Sequence, residues 1–442
     1  MSKTAIRPNH MKIQWHDYVD AQSGRPLSDA PLQERASIVG RTGLLLLSCG
    51  TGAWRVRRSM NMLAEKLGLV CTADIGLMSL DYTCFDGGEV FSQSLTLNNT
   101  GVNTLKLYKL EQFVQSFSEG DLSVTGEEVH GQLDEIEHIR GQYTPAVLGL
   151  AAALACGGFT FLLGGGLPEI LFAFIGAGVG NWIRSAMLRR HYTLLLCIGV
   201  SVSAACVVYA GCLYAAEVLF HLDAQHQAGY ICAMLFIIPG FPFITSGIDM
   251  AKLDMRSGLE RLTYAIMIVA VSTIVAWLTA LLLHLEPVEF MPLGLSEMQL
   301  VVLRLVASFC GVFGFSIMFN STVSMAAIAA VIGMVSNTLR LELVSLAGFP
   351  PAAAAFLGAL SAGLLASVFK QRCGYPRISI TVPSIVIMVP GLYFYRGIYN
   401  LGAMDLSMSA SWLASAVLLV MALPLGLIFA RILTDHRFRY CN

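Results

Sequence analysis

Charge is scarce in this sequence. Only 13% of its 442 residues are charged and 55% are hydrophobic, whereas soluble globular domains carry roughly 25% charged residues. The scarcity is uneven, because residues 1–143 hold 13 Lys/Arg and 17 Asp/Glu while the longer remainder holds 15 and 12. We therefore predict an N-terminal domain in water and a membrane domain that begins near Thr144. The net charge of −1 offers no basic surface to nucleic acid.

Motifs of enzymes and of metal and nucleotide sites are also lacking. The 11 cysteines form no Cys-x-x-Cys pair, so neither a zinc site nor a disulfide framework is predicted. No Walker loop is present, and GTGAWR (50–55) lacks the serine of a nucleophile elbow. GAGVG (176–180) lies within an apolar run, where glycines favour close helix packing over a dinucleotide loop. We expect no catalytic residue, no cofactor and no metal ion.

Ten apolar stretches follow the N-terminal domain, and a transmembrane helix needs about 20 apolar residues. If the N-terminus is inside, the inner loops carry twelve basic residues and the outer segments three. This asymmetry follows the positive-inside rule. The sequence thus predicts a multi-pass protein of the inner (plasma) membrane with both termini in the cytoplasm. The stretches lie near 145–164, 167–184, 194–216, 228–250, 262–284, 300–319, 322–339, 351–369, 378–400 and 411–433.

The N-terminal domain is predicted to be a small cytoplasmic α+β domain. Residues 1–30 are polar and lack an apolar segment, which indicates a disordered tail without a signal peptide. Residues 31–143 show helical periodicity at 34–49, 55–67, 109–119 and 125–139, and strand-like patterns at 69–85, 88–97 and 102–108. Their charged side chains match no known catalytic or metal site.

The membrane domain contains an internal repeat. IIPGFPFITSGIDM (237–250) in the fourth span and IMVPGLYFYRGIYNL (387–401) in the ninth each place Pro-Gly within an apolar helix, followed by aromatic residues and a Gly-Ile pair. GGFTFLL (157–163) and GVFGFSIMF (311–319) are a weaker matching pair. We predict two five-helix halves, 144–285 and 286–442, as inverted repeats, because an odd number of spans brings the second half into the membrane from the opposite face.

The Pro-Gly pairs predict broken helices. Proline removes a backbone N–H, and glycine allows the chain to leave helical geometry. Inside a membrane the freed carbonyl groups need protein or water as partners, which favours a central cavity; a kink that serves packing is the alternative. We therefore predict substrate contacts at Pro239, Gly240, Phe241, Pro390 and Gly391.

Few polar side chains lie within the predicted spans. Asn181 and Thr381 are further candidates for the cavity. Asp249 follows the first break by about three helical turns and is the candidate proton carrier, since an ionisable group inside a membrane is costly unless it serves a function. An interfacial charge near Lys252 is the alternative interpretation of Asp249.

Other charged residues of the membrane domain lie nearer its surfaces. Arg396 occupies the matching region of the second half, and Glu169 flanks an outer end of a span. His221, Asp223 and His226 have the side chains of a metal site, but a short loop of this kind favours a solvated surface.

Three segments resemble the threonine/serine exporter family. They are PGFPFITSGIDMAK (239–252), VPSIVIMVPG (382–391) and LLLLSCGTGAWRVRRSMNMLAEKLGL (44–69), and the resemblance covers nearly the whole chain. It implies export of L-threonine and L-serine driven by the proton gradient, and it leaves export of a dicarboxylate such as succinate open. The chain departs from the family at Arg57 and Arg58, where acidic residues are usual.

We therefore predict a secondary exporter rather than an enzyme, which works by alternating access between inverted halves. Its partners are an amino acid, protons and membrane lipid, and small-residue faces at 352–355 and Gly358 favour packing within or between protomers. The alternatives are a dicarboxylate exporter, a channel, and a membrane-anchored hydrolase or sensor that uses the cytoplasmic domain.

Overall fold

The computed structural model describes residues 13–19, 24–139, 141–221 and 226–439. The chain divides into two compact units. The first comprises Met1–Gly141 together with Asp249–Arg261, and the second comprises Gln142–Ile248 and Leu262–Asn442. The first segment of unit one ends at Gly141, two residues before residue 143, where the sequence predicts the end of the N-terminal domain. The inclusion of 249–261 in the first unit was not anticipated from sequence.

The N-terminal unit is α+β. Its antiparallel sheet has the order β1-β2-β3, with Cys71 opposite Cys84 and Cys84 opposite Phe91. The buried side chains of β2, among them Leu80 and Tyr82, pack against the first helix. The elements are α1 (Leu32–Ser48), α2 (Ala53–Lys66), β1 (Val70–Ile75), β2 (Ser79–Asp86), β3 (Glu89–Thr96), α3 (Thr104–Glu119) and α4 (Gly126–Glu137).

Two predictions for this unit differ from the structure. The segment 102–108 is not a strand, because the Asn103 side chain accepts the N–H of Lys106 and caps α3, which begins at Thr104. The part of the expected disordered tail that the structure describes is packed, since Trp15 and Leu27 are buried in short 3-10 turns. Residues 1–12 and 20–23 of that tail lie outside the described residues.

The membrane domain confirms the prediction of about ten spans. Eight helices of the described chain are long and apolar enough to cross a membrane, and ten spans result if each of two bent pairs counts as one. The eight are α5 (Pro145–Leu162), α6 (Leu167–Arg189), α7 (Leu194–Phe220), α10 (Met255–Leu282), α11 (Glu297–Met318), α12 (Val323–Ser345), α13 (Pro351–Cys373) and α16 (Leu406–Thr434).

The bent pairs lie at the two Pro-Gly positions. The first consists of α8 (Gly229–Ala233), a 3-10 turn (Leu235–Ile237) and α9 (Gly240–Ala251), with a bend of 58°. The second consists of α14 (Arg377–Val386) and α15 (Gly391–Gly402), with a bend of 49°. The predicted helix breaks are therefore present at both positions.

Corresponding helices have the same neighbours in the two halves. In the first, α5 packs on α6, α6 packs on α7, and α8 lies against all three. In the second, α11 packs on α12, α12 packs on α13, and α14 lies against all three. The two halves therefore share one arrangement, as the sequence repeat suggests.

The first helices of the halves pack on each other through small residues. Gly158 of α5 lies against the backbone of Ala307 and Gly311, and Gly314 of α11 lies against Ala151 and Ala155. The same interval along the chain separates Gly158 from Gly314, Ala151 from Ala307, and Ala155 from Gly311. The contact is therefore reciprocal, as a local two-fold relationship between α5 and α11 requires.

Candidate functional site

The two broken helices cross at their Pro-Gly pairs. A Cβ atom at Gly240 would collide with Val386 and lie tightly against Val389, both of the second break. A Cβ atom at Gly391 would collide with Leu235 and lie tightly against Ile238, both of the first. Leu235 and Ile238 precede Gly240 by the same numbers of residues as Val386 and Val389 precede Gly391. The crossing is thus reciprocal, and each glycine permits the close approach of the other half.

The backbone has the same geometry at both breaks. The Gly240 N–H donates to the Ile238 carbonyl at 2.8 Å, and the Gly391 N–H donates to the Val389 carbonyl at 2.9 Å. These tight turns span three residues around each proline. The next helices then begin with bonds from Phe243 N–H to the Pro239 carbonyl and from Phe394 N–H to the Pro390 carbonyl.

Aromatic side chains surround the crossing. Tyr230 and Tyr395, one from each break, are fully buried and share a hydrogen bond of 2.6 Å between their hydroxyl groups. Phe241 packs edge-on against Phe319 at 5.5 Å between ring centroids. This packing keeps Pro239, Gly240 and Phe241 within a dense contact between the halves.

A cavity of about 690 Å³ lies beside the second break. Ligand pockets for small molecules occupy roughly 300–1,000 Å³, so the cavity has room for an amino acid or a small dicarboxylate. Its walls come from the end of α5, the loop between α10 and α11, the break between α14 and α15, and residues of α11, α12, α15 and α16. The charged and aromatic lining residues are Phe159, Glu289, Phe290, Arg340, Tyr393, Arg396 and Trp412.

Two arginines give the cavity its chemistry. The Nε atoms of Arg340 and Arg396 are buried and have no hydrogen-bond partner among the described residues. Neither guanidinium group forms an ion pair with a described residue. The guanidinium carbon of Arg396 lies 4.9 Å from the centre of the Trp412 ring, which is a cation–π contact. An arginine inside a membrane protein is costly unless it has a partner. The arrangement therefore favours an anionic group as the occupant.

Glu289 adds one negative charge to the cavity. It lies in the loop between α10 and α11 and its side chain is exposed. A ligand with a carboxylate and an ammonium group has complementary partners in the arginines and Glu289. A ligand with two carboxylates has partners in the two arginines alone.

The substrate contacts predicted from sequence fall into three groups. Pro390 and Gly391 line the cavity, whereas Pro239, Gly240 and Phe241 lie at the crossing. The other two candidates bond elsewhere: Asn181 Nδ2 donates to the Leu148 carbonyl at 2.7 Å, and Thr381 Oγ1 donates to the Arg377 carbonyl at 2.9 Å. Neither Asn181 nor Thr381 is among the residues that line this cavity.

The two cavity arginines were not recognised as site residues from sequence. One signal was available: Asn181 and Arg184 occupy the fifteenth and eighteenth positions of α6, and Asn337 and Arg340 occupy the same positions of the equally long α12. A repeated Asn-x-x-Arg within two apolar helices indicates a function, because each arginine would otherwise be expelled from the span.

Asp249 belongs to a different cluster, within the first compact unit. Its side chain is fully buried, and Oδ2 accepts the N–H of Ala53 at 3.2 Å and the hydroxyl of Ser257 at 3.0 Å. Arg261 Nε lies 3.3 Å from Oδ2, and the guanidinium also donates to the Gly50 and Thr51 carbonyls. Asp249 thus holds the N-terminus of α2, where a helix favours negative charge. Its role as proton carrier stays a prediction.

Comparisons with known proteins match this chain to exporters and transporters. A family model described as a threonine/serine exporter matches residues 37–283, and a second, described as "Threonine/Serine exporter, ThrE", matches residues 304–433. The chain is 23% identical over 220 residues to a protein of Escherichia coli (strain K12) named "Probable succinate transporter subunit YjjP". That alignment covers 50% of this chain and 83% of the relative. No solved structure matches.

Proposed function

The chain belongs to the threonine/serine exporter family, and we propose that it exports L-threonine or L-serine across the inner membrane in exchange for protons. The observation that carries this proposal is the pair Arg340 and Arg396, which lie in one cavity without an acidic partner among the described residues. Arginine binds carboxylates through two parallel hydrogen bonds, so the amino-acid carboxylate would be held there. Glu289 would then take the ammonium group.

Alternating access would follow from the repeat. The reciprocal packing of Gly240 and Gly391 supports two halves that exchange conformations around the crossing. Arg184 has the position in α6 that Arg340 has in α12, and its Nε is also buried without a partner in the described chain. In the second conformation, Arg184 would face the opening on the opposite side, as Arg340 faces the present cavity.

The orientation is part of the same proposal. The acidic loop between α10 and α11 lines the cavity, and the distribution of basic residues predicts that this loop is outside and that both termini are cytoplasmic. The structure would then represent an outward-open state. Asp249, held at the N-terminus of α2, would lie on the cytoplasmic side.

A dicarboxylate is the second candidate substrate. The two cavity arginines, which form no ion pair with a described residue, match two carboxylates, and the relative from Escherichia coli carries a succinate transporter name. Both candidates require the arginines, but an amino acid also requires a partner for its ammonium group. The two substrates can therefore be separated experimentally.

The test uses the purified full chain in liposomes. Vesicles loaded with unlabelled L-threonine, L-serine or succinate are placed in a solution of the same labelled compound, and counterflow is compared with protein-free vesicles. We expect counterflow of at least one compound, and a rise in KM of roughly 10-fold or more in Arg340→Gln and Arg396→Gln, since hydrogen bonds to charged groups contribute about 1.5–3 kcal/mol. Arg190→Gln, which changes an exposed arginine, is the matched control.

The results test the assignment of the cavity and the identity of the substrate separately. Unchanged KM in both cavity variants, with normal folding, would contradict the assignment of the cavity. Counterflow of succinate without counterflow of either amino acid would replace the proposed substrate and leave the cavity assignment in place.

A further inference from the structure

Glu169 is a buried carboxylate that has no role in the substrate binding proposed above. It lies in the first turn of α6 and is 2% exposed. Its Oε1 is 2.7 Å from Nδ1 of His226, while its Oε2 is buried and has no hydrogen-bond partner among the described residues. A carboxylate with one titratable partner and one unsatisfied oxygen has room for a proton on that oxygen.

The unsatisfied oxygen lies close to the glycine segment that joins the cavity lining to α6. The three glycines 164–166 connect α5 to α6, and Gly164 is part of the cavity lining. A Cβ atom at Gly166 would be 3.1 Å from Glu169 Oε2 and 3.9 Å from the cavity residue Leu293. Because Gly166 has no side chain, the space where that Cβ atom would lie adjoins both the Glu169 carboxylate and the cavity residue Leu293.

The groups that face the pair from neighbouring elements are mostly neutral. Tyr209 of α7 donates its hydroxyl to the His226 carbonyl at 2.5 Å, and α5 contributes Thr160, whose methyl group lies beside Gly165. Cys232, a buried thiol, belongs to α8, which packs against α6. Glu286 is joined to the same region only through its backbone N–H, which donates to the Gln227 side chain.

The identity of the partner matters for proton transfer. An arginine beside a carboxylate keeps it ionised, because arginine stays protonated in proteins. Asp249 has such a partner in Arg261 at 3.3 Å. No Lys or Arg side chain of the described residues forms an ion pair with Glu169, and histidine itself exchanges protons near neutral pH. The charge of the Glu169–His226 pair is therefore not balanced by an arginine or lysine ion pair within the described residues.

We propose that the Glu169–His226 pair carries the proton that is coupled to transport, an inference that rests on the proton exchange proposed above. In the outward-open state the pair takes a proton from water in the cavity. For exchange, the pair takes this proton after the substrate has left to the outside. In the inward state the pair releases the proton to water on the cytoplasmic side before the next substrate binds, so that protons enter as substrate leaves.

The test separates coupling from transport itself. The full chain is reconstituted in liposomes, and whichever of labelled L-threonine, L-serine and succinate gives the fastest wild-type counterflow is used as the probe. Two rates are measured for each variant: counterflow at equal pH, and uptake stimulated by an imposed pH difference. The variants are Glu169→Gln and His226→Gln, and the control is Glu286→Gln, an exposed carboxylate of the outer loop.

In Glu169→Gln, we expect the counterflow rate to stay within about twofold of wild type. The imposed pH difference should no longer stimulate uptake, so that the rates with and without it are about equal. Glutamine keeps an oxygen that can accept from His226 but cannot exchange a proton. His226→Gln should reduce the stimulation in the same direction, and Glu286→Gln should leave both rates unchanged.

Four results would overturn the inference. The first is stimulation in Glu169→Gln equal to that of wild type. The second is an equal loss of counterflow and stimulation in folded Glu169→Gln protein, which would indicate a structural role. The third is a loss of stimulation in Asp249→Asn alone. The fourth is a wild-type protein that transports the probe without responding to the pH difference; this result also removes the proposed proton exchange, whereas the first three leave it intact.

Discussion

Phe243 and Phe394 stack face to face across the crossing of the broken helices, with 5.4 Å between ring centroids and 8° between ring planes. Each follows the glycine of its own Pro-Gly pair by three residues. Residues at equivalent positions of two related segments can meet in this way only near an axis that relates the segments. The stacked rings therefore mark the point about which the two halves are related.

Enlarging Gly240 should block transport without preventing folding of the rest of the chain. In Gly240→Ala the new methyl group meets Val386, and closely packed interiors tolerate such additions at a cost of about 1–3 kcal/mol. We expect counterflow to fall roughly 10-fold or more. The added substitution Val386→Ala removes the colliding methyl group and should restore part of the activity.

The control for this experiment is Gly199→Ala in α7. A Cβ atom at Gly199 meets nothing within 4 Å, so transport should be unchanged. Equal losses in Gly199→Ala and Gly240→Ala, or full activity in Gly240→Ala, would argue against the crossing as the moving contact.

Glu289 should distinguish an amino acid from a dicarboxylate. Replacing it by glutamine removes the single carboxylate of the cavity lining. If the ammonium group of threonine pairs with Glu289, the KM for threonine should rise by roughly 5-fold or more, since an exposed charged contact contributes about 1 kcal/mol. The KM for succinate should stay the same or fall, because a repulsive charge is lost.

The KM values are measured by counterflow in the same liposomes for both compounds. Glu297→Gln, at an exposed position outside the cavity, serves as the control. A parallel change in KM for threonine and succinate would show that Glu289 does not discriminate between them.

Asp249→Asn should loosen α2 from the segment 249–261. The substitution leaves the guanidinium of Arg261, which is 2% exposed, without its buried counter-charge. Removing one partner of a buried ion pair costs about 3–5 kcal/mol. We expect faster amide hydrogen exchange at the start of α2 in the full chain.

Asp74→Asn provides the comparison for that measurement. The ion pair of Asp74 with Arg256 is largely exposed, and exposed pairs contribute about 0–1 kcal/mol. Its exchange rates should stay close to wild type. Similar protection of α2 in Asp249→Asn and Asp74→Asn would mean that the buried pair contributes little to this contact.

Acid should destabilise the N-terminal unit through His130. Burial, and next the charge of Arg41, lower the pKa of His130 to about 3. Arg41 Nη1 lies 3.2 Å from His130 Nδ1, and since arginine only donates, Nδ1 must accept and the ring is neutral. Stability from this neutral histidine is complete above the unfolded pKa near 6.5 and is lost as the pH falls toward 3.

The effect of His130 should amount to on the order of 4 kcal/mol across that range. Hydrogen exchange at α1 and α4, corrected for its intrinsic pH dependence, measures the loss. His16 changes stability in the opposite sense, because hydrogen bonds to Glu127 and Asp134 raise its pKa, but its side chain is too exposed to dominate. In His130→Gln the loss between pH 6.5 and 3 should be much smaller; an unchanged pH profile would exclude His130 as its cause.

Local chemistry was sufficient to predict the spans, the two helix breaks and the α+β character of the N-terminal unit. The length of an apolar run decides whether it can cross a membrane, and Pro239-Gly240 and Pro390-Gly391 end helical hydrogen bonding wherever they occur. The prediction of a strand at 102–108 was wrong, because it followed the apolar alternation of this segment and not the helix-capping signal of Asn103. Trp15 and Leu27 were missed because single apolar residues in a polar stretch show no periodicity.

Only the tertiary structure brought Arg340, Arg396 and Glu289 into one cavity and placed Glu169 near the cavity residue Leu293. These residues lie on separate helices and loops, so no spacing along the chain relates them. The same holds for Asp249, which stands out in the sequence as a carboxylate at the end of an apolar stretch but owes its partners Arg261 and Ala53 to folding. The sequence alone determined which segments enter the membrane and where they break, because solvation and backbone chemistry act locally. The tertiary structure determined which charges meet, because pairing depends on the distances between elements that are remote in the chain.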